Sequence, residues 1–478
     1  MKCISLLFLN ETKPHNKRKN DFSGLFIEEC FKTIVNDPYV RNRFLSVIFS
    51  DSPSKEDIYF RQSILKDFIA SPHFFKTLNN DFLLLKKFIV TNNEEKKNCY
   101  HFLYNSSSDN KFSSNTSVLQ IASFECKRLI SIIRKISHTF EYFKFNSAGL
   151  IRLSERIKDI INIFNDFSLD ILLERFINYY PEEKSSSCFI ELNDFGRIGE
   201  FTFLRIEESL KTKKHQRFIS FNNINTDNQI TTHNKLDLDE LFAKEILNLI
   251  SAIFSLTDSI KNEFDEIIDD LLFYDAGLSL YSYIIEKNIP YCFPEIKDSL
   301  SIDIEKLYDL PLVMQKDTII PHSLSISSLN SGVIIFGPNG SGKTVLCRSV
   351  IYTFLFAFSG LPVLSKRAIL PYFEHVAFLA ASSEDNMNDM GRFENEAKKV
   401  SDLLDNLCSH TIIFFNELFQ STPERDGSMA LNDILNFFEK KETFWMIVTH
   451  LTSLINLNKN NKKIKMITIS ENHHSYEI

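Results

Sequence analysis

The sequence predicts a helical region followed by a domain built on a mostly parallel sheet, an α + α/β class. Three observations carry this. Up to about residue 290, apolar residues recur mainly at three- and four-residue spacing. From about 291 onward, short apolar runs alternate with helix-like runs. Within that second part, the strand-like Val333–Phe336 passes through a glycine-bearing loop straight into the helix-like run Val345–Phe358.

Residues 1–117 form the first segment, mainly helical after a short apolar strand at Ile4–Leu9. Its last stretch, Asn105–Ser117, is rich in Ser and Asn and is expected to be an exposed loop. Residues 118–290 form a helical core and lever. In it Leu129, Ile132, Ile133 and Ile136 fall on one helical face. Alternation at Phe201, Phe203 and Arg205 predicts a few strands between Cys188 and Ser220. The basic cluster Lys211–Arg217 is a solvated turn or a DNA contact, and Asn222–Asn234 is a second polar loop. Then comes a seam of Phe242, Ile246, Leu249, Ile253, Leu256, Ile260, Phe264 and Ile267, spaced 4, 3, 4, 3, 4, 4, 3. It predicts a helix of about 40 Å, packed in a lever or against a partner helix. Residues 291–478 form the sheet domain, starting near Tyr291–Pro294. Its tail lysines Lys459, Lys462, Lys463 and Lys465 read as a solvated edge.

A chain of 478 residues suffices for two to four domains with a sizeable core, and its apolar (44%) and charged (24%) fractions are ordinary. The net charge of −8 argues against coating nucleic acid by bulk attraction, so any DNA contact must come from local basic faces or from topology. The eight cysteines form no C-x-x-C pair and read as buried, reduced thiols. The apolar run at Ile4–Leu9 is too short for a signal peptide core, and nothing approaches the roughly 18 apolar residues of a membrane span. A cytoplasmic location is expected, nucleoid or nucleus if DNA-bound, with no membrane partner.

The loop reads Gly337-Pro338-Asn339-Gly340-Ser341-Gly342-Lys343-Thr344, a G-x-x-x-x-G-K-T pattern between strand and helix. Glycines let the backbone curl with its N–H groups inward around phosphate oxygens. Lys343 would place a cation on the β- and γ-phosphates and Thr344 a hydroxyl on Mg²⁺, while the helix N-terminus adds partial positive charge. The expected ligand is a nucleoside triphosphate, with ATP and Mg²⁺ as cofactors. A second apolar run, Thr411–Phe415, ends in Asn416-Glu417. In such enzymes the first residue of the pair holds Mg²⁺, usually through water, and the Glu orients the attacking water. A third run, Phe444–Val448, ends in Thr449-His450, with the His suited to sensing the γ-phosphate. Glu417, Lys343 and His450 are thus the catalytic candidates.

Together these motifs resemble the MutS family of DNA mismatch-repair ATPases. The family's G-P-N-x-x-G-K-[ST] loop is matched at Gly337–Thr344, and its Gly-x-x-Val-Pro-like segment is echoed at Gly360-Leu361-Pro362-Val363. Its strand-Asp-Glu-to-Asp-Gly stretch is matched from Asn416-Glu417 through Ser421-Thr422 to Asp426-Gly427, and its Thr-His at Thr449-His450. Upstream, Tyr59–Asp67, Ser147–Leu150, Leu241–Glu245 and Gly391–Glu396 are similar to landmarks of a compact, mainly bacterial branch. The resemblance implies a P-loop NTPase domain, nucleotide held between two subunits of a homodimer, and a DNA clamp in mismatch repair or recombination. It also implies His322 at the adenine, and Arg392 and Ser421 as candidates for contact across the dimer.

The chain departs from the family at Asn416, where well-studied members carry Asp. Loss of that charge should weaken metal binding and slow hydrolysis. Gly391-Arg392-Phe393 replaces the usual Ser-Thr-Phe, which would make Arg392 an arginine finger. The mismatch-reading Phe-x-Glu letters occur at Phe26, Phe189, Phe264 and Phe437, as chance allows among 45 Phe, and no separate mismatch-reading domain is expected. Three functions stay open: a DNA-dependent ATPase clamp, a nucleotide-binding switch or scaffold with little hydrolysis, and an ABC-like ATPase acting on something other than DNA.

Overall fold

The computed structural model describes residues 5–9, 22–105, 111–166, 173–174, 176–177, 187–192, 198–203, 218–220, 232–316, 319–327, 332–381, 391–405, 407–408, 410–420, 422–441, 443–469 and 475–477. Six helices come first: α1 (Ile27–Ile34), α2 (Pro38–Ile48), α3 (Lys55–Ala70), α4 (Pro72–Asn105), α5 (Lys111–Glu141) and α6 (Ala148–Asp166). Local sequence starts them. Asp37 caps α2 by accepting from the Tyr39 and Val40 amides ahead of Pro38, and Ser54 caps α3 by accepting from the Asp57 amide. After strands β1 (Ser187–Leu192), β2 (Ile198–Phe203) and β3 (Phe218–Ser220) comes α7 (Thr232–Glu286).

The remaining elements alternate: β4 (Glu295–Lys297), β5 (Ile302–Leu307), α8 (Leu310–Gln315), β6 (His322–Ile326), β7 (Gly332–Phe336), α9 (Lys343–Phe358), β8 (Arg367–Pro371), β9 (His375–Ala380), α10 (Arg392–Asp405), β10 (Thr411–Asn416), α11 (Glu424–Lys440), β11 (Phe444–Val448), α12 (Thr452–Asn458), β12 (Ile464–Ile469) and β13 (Ser475–Glu477).

The chain divides into two units that cut across these segments. One gathers Leu78–Tyr142 and Ser154–Phe264, the other Lys2–Thr77, Phe143–Leu153 and Asp265–Ile478. The first unit is helical, with the antiparallel sheet β2-β1-β3. Its core includes Leu85, Leu129, Ile133, Ile157, Ile260 and Phe264, none more than 1% exposed. Buried charges there are paired: Asp81 accepts from Thr139 Oγ1 at 3.0 Å and faces Lys135 at 2.8 Å, and Arg156 grips Glu263 with both arms of its guanidinium.

The second unit holds the sheet domain. Its six-stranded sheet runs β13-β12-β7-β11-β10-β9, parallel throughout except for the antiparallel edge strand β13. A four-stranded mixed sheet, β4-β8-β5-β6, completes it. The central strands read as unbroken apolar runs because both their faces are covered. Val333, Ile334, Ile335, Phe414 and Phe415 are 0% exposed. α9 is apolar nearly all round, the mark of a helix enclosed on every side.

The expectation of a helical part plus a mostly parallel sheet holds, but five local expectations are corrected. Residues 5–9 form no strand, because side chains saturate their backbone. Asp270 accepts from the Leu6 amide at 2.8 Å, Tyr274 donates to the Leu6 carbonyl at 2.6 Å, Arg61 donates to the Leu7 carbonyl at 2.8 Å and Asp57 accepts from the Leu9 amide at 2.7 Å. The Asn105–Ser117 loop is shorter than expected, since α4 reaches Asn105 and α5 begins at Lys111. Burial of Val118 and Leu119 just beyond overrides the weak helix propensity of Ser and Asn.

The expected Asn222–Asn234 loop gives way to α7 at Thr232. That helix has 55 residues, about 80 Å at the standard rise, twice the expectation. Its buried stripe also differs: Ile250, Phe254 and Thr257 are buried where Leu249, Ile253 and Leu256 of the seam are half-buried, and the two coincide at Ile260, Phe264 and Ile267. The basic cluster Lys211–Arg217 lies outside the described residues. In the tail, Lys463 pairs with Glu439 at 2.8 Å, and Lys459 and Lys462 are exposed, as a solvated edge should be.

Candidate functional site

β7 lies between β12 and β11, so its C-terminal end opens in the middle of the carboxyl edge of the sheet. The loop from Gly337 to Gly342 follows and leads into α9 at Lys343. Gly337 has φ +150°, and a Cβ there would stand 2.7 Å from the Ile469 carbonyl oxygen, so no other residue fits. Gly340 and Gly342 also take positive φ, at 80° and 95°. Pro338, Asn339 and Gly340 are exposed at the loop's tip, Ser341 is buried, and Thr344 is exposed in the first turn of α9.

Register brings the other two strand ends alongside. Asn416 of β10 pairs with Val448 of β11, and Val448 pairs with Ile335 of β7. The ladder extends one residue further, with the Glu417 amide donating to Val448 O at 3.0 Å and the Thr449 amide donating to Ile335 O at 3.2 Å. At Glu417 the chain then turns through a left-handed conformation, φ 58°. Its carboxylate lies 3.1 Å from His450 Nε2, both side chains about one-third exposed.

Lys343 Nζ donates to the carbonyls of Gly337, at 2.9 Å, and Pro338, at 2.8 Å. Burial pushes the Lys343 ammonium below its ordinary pKa, and the Glu417 carboxylate pulls the other way. The loop, Lys343, Asn416, Glu417 and His450 therefore meet at one edge of one sheet. A cation, a carboxylate and an imidazole stand there beside a curl of backbone amides, which can bind a polyanion and handle a proton next to it.

Asn416 Oδ1 is buried and meets no hydrogen-bond partner among the described residues. A buried amide oxygen of this kind fits a hard cation such as Mg²⁺, which takes oxygen ligands and keeps several waters. The exposed Thr344 hydroxyl has the same chemistry. Among the described residues no group of three His, Cys, Asp or Glu side chains is placed to hold a metal.

His322 lies elsewhere, at the start of β6 in the four-stranded sheet, and is buried. Arg392 is the first residue of α10. Ser421 lies outside the described residues. Phe26 is exposed at the start of α1 with the Arg348 guanidinium 5.9 Å from its ring centre, and Phe437 is also exposed, while Phe264 is a core residue.

Two features of the site escaped the sequence reading. Asp309 caps α8 through the Leu312 amide and receives Arg348 of α9 on both oxygens. The letters Asp309-Leu310-Pro311 carry a helix-cap signature that could have exposed it. Glu396 of α10, 0% exposed, accepts the Phe419 amide at 2.6 Å. It sits in a charge-rich helix that reads as solvated, and its place at the end of the Gly391–Glu396 segment is the sequence signal that could have found it.

Comparison with known proteins bears on this edge directly. Residues 333–478 match the family described as MutS domain V. Relatives named Endonuclease MutS2 include one from Aquifex aeolicus (strain VF5), 23% identical over 228 residues, 47% of this chain and 30% of that protein. Another, from Fusobacterium nucleatum, is 21% identical over 229 residues, 47% of this chain and 29% of the relative. A third, from Clostridium botulinum (strain Okra / Type B1), is 25% identical over 162 residues, 34% of this chain and 20% of the relative. The matched part thus spans under a third of the length of these relatives.

Proposed function

We propose that this chain, whose residues 333–478 match MutS domain V, acts as a MutS-family protein: an ATP-binding, DNA-binding ATPase, a dimeric clamp in mismatch repair or recombination. The observation that carries this reading is the convergence of Lys343, Asn416, Glu417 and His450 around the glycine loop, a P-loop in this view. The partition follows the sequence: residues 1–117 and 118–290 as helical body and lever, 291–478 as the ATPase.

Gly337–Thr344 would cradle the phosphates with backbone amides, and Lys343 would exchange its two carbonyl partners for phosphate oxygens. Thr344 and Asn416 would hold Mg²⁺, which when bound neutralises charge developing on the phosphates. Glu417 would orient the attacking water and accept its proton, and His450, at 3.1 Å from Glu417, would steady that carboxylate and sense the γ-phosphate. His322 is proposed at the adenine. Arg392 and Ser421 are proposed to reach the nucleotide of the second subunit, with C2 closure giving the clamp its ring. No described helix is long and apolar enough to cross a membrane. A cytoplasmic location, nucleoid or nucleus if DNA-bound, is proposed from the DNA-binding reading.

A second reading is favoured by Asn416, whose amide lacks the negative charge of Asp: a nucleotide switch or scaffold with little turnover. An ABC-like ATPase indifferent to DNA is the third reading, in keeping with the net charge of −8. One experiment separates them: ATP hydrolysis with and without duplex, mismatched and four-way-junction DNA, beside Glu417→Gln. DNA-stimulated, salt-sensitive turnover that Glu417→Gln abolishes supports the clamp. ATP binding with no turnover supports the switch, and turnover unmoved by DNA supports the third reading.

A further inference from the structure

The turn that carries Glu417 is unusual in its backbone. Glu417 and Phe419 both adopt left-handed φ, 58° and 59°, a conformation that L residues with a Cβ take only when their surroundings hold them there. Phe419 is buried at 2% exposure, so its amide has no water to turn to. The partner it has is Glu396 Oε2, at 2.6 Å.

Glu396 lies in the second turn of α10, and a second contact joins the same two elements, the rings of Phe393 and Phe419 with centroids 5.2 Å apart. From the other side, a Cβ on Gly427 of α11 would meet the Phe419 carbonyl oxygen at 2.8 Å, so the turn is wedged against α11 and cannot relax that way. The Glu417 turn is therefore fixed by α10 through one buried carboxylate and one aromatic contact.

We infer that Glu396 is a positioning residue for hydrolysis: it holds the Phe419 amide and thereby sets where the Glu417 carboxylate stands, so that the placement of Glu417 follows the placement of α10. This rests on the reading of Glu417 as the water-orienting group. Glu396 touches neither nucleotide nor water in this scheme and acts through the turn alone. Because α10 begins at Arg392, a contact that shifts its N-terminal end would be passed by Glu396 to Phe419 and so to Glu417 just before it in the chain.

The test uses the full chain with Glu396→Met, which fills the buried volume without an acceptor, and Glu396→Gln, whose amide oxygen keeps one. Steady-state ATP hydrolysis, thermal melting and amide hydrogen exchange over residues 416–420 are measured, with Glu417→Gln in parallel. The expected result is a kcat about tenfold or more lower in Glu396→Met at nearly unchanged KM. Faster exchange at the turn should accompany it, and most of the turnover should return in Glu396→Gln. If Glu417→Gln abolishes turnover while Glu396→Met leaves kcat alone, the inference falls and the role of Glu417 stands. If both Glu396 variants fall together with a lowered melting temperature, Glu396 is structural only and the inference also falls. If turnover is absent in the unaltered chain, or indifferent to Glu417→Gln, the underlying reading fails and takes this inference with it.

Discussion

Arg348 holds Asp309 by two parallel hydrogen bonds, Nε to Oδ2 at 2.8 Å and Nη2 to Oδ1 at 2.7 Å, with only 15% and 1% of the two side chains exposed. The pair joins the helix that follows the glycine loop to the start of α8. The Asp309 carboxylate also caps α8 through the Leu312 amide, so one buried group serves two elements.

Arg348→Met should therefore lower stability by about 3–5 kcal/mol, because a buried carboxylate left without its counter-charge costs more than the pair was worth. Denaturant unfolding monitored by circular dichroism checks this. A change below about 1 kcal/mol would mean that water reaches Asp309 in solution.

Gly332 sits at the start of β7 with the indole of Trp445 against it. A Cβ at this position would lie 2.1 Å from the ring. Gly332→Ala should destabilise the domain by about 1–3 kcal/mol through overpacking. Trp445 is the sole Trp of the chain and is 1% exposed, so its emission should shift to longer wavelength in the same variant. An unshifted spectrum with unchanged melting would contradict the packing described.

Lys343→Ala should weaken ATP binding by about 2 kcal/mol, roughly thirtyfold, through loss of a charge-assisted contact to phosphate. Its hydrogen-bond partners among the described residues are two loop carbonyls, so the melting temperature without nucleotide should change little. Calorimetric titration with a non-hydrolysable ATP analogue reads the first effect and a thermal scan the second.

Asn416→Asp should restore a negative ligand at the buried position of Oδ1 and tighten Mg²⁺-dependent nucleotide binding by roughly tenfold, raising turnover with it. A Mg²⁺ titration at fixed ATP is the measurement. If the Asp variant binds no better, the metal does not use this side chain.

Burial pushes the thiols of Cys30 and Cys347 up to about 11 and about 12. Both should resist alkylation by iodoacetamide at pH 8 in the native protein and react after unfolding. The sign of the linkage follows: below the unfolded thiol pKa both states stay protonated and nothing changes. As pH rises past about 9 the unfolded chain alone gives up these protons, so stability falls between there and the folded values. Mass spectrometry of the alkylated peptides and melting between pH 8 and 10.5 check the two statements.

The strands that bear the site were legible because each is an unbroken apolar run ending in polar residues, Val333–Phe336, Thr411–Phe415 and Phe444–Val448. Their order, β12-β7-β11-β10-β9, was not, since neighbours in a parallel sheet are chosen by how helices pack across its faces. The seam in α7 was legible as a helix, yet its register was off by one residue at Ile250 and Phe254. Both candidate stripes are apolar there, and only the packing of Val118, Leu119 and Ala122 against Ile250 and Phe254 decides between them. The long-range partners of Glu396 and Asp309 were illegible for a common reason. A buried carboxylate looks like a solvated one until its hydrogen-bond donor, 23 residues on for Glu396 and 39 for Asp309, is brought to it by the fold.

The strip Ser5–Leu9 has no secondary structure of its own and is tied down by Asp57, Arg61, Asp270 and Tyr274. Leu6 and Asp270 are separated by 264 residues. During synthesis the strip must therefore wait, with Leu6 and Leu7 uncovered, until the far half of α7 has left the ribosome. At roughly 5–20 residues per second that is a delay of about 13–50 seconds. Over that interval two leucines that end fully enclosed are open to chaperones and to other nascent chains.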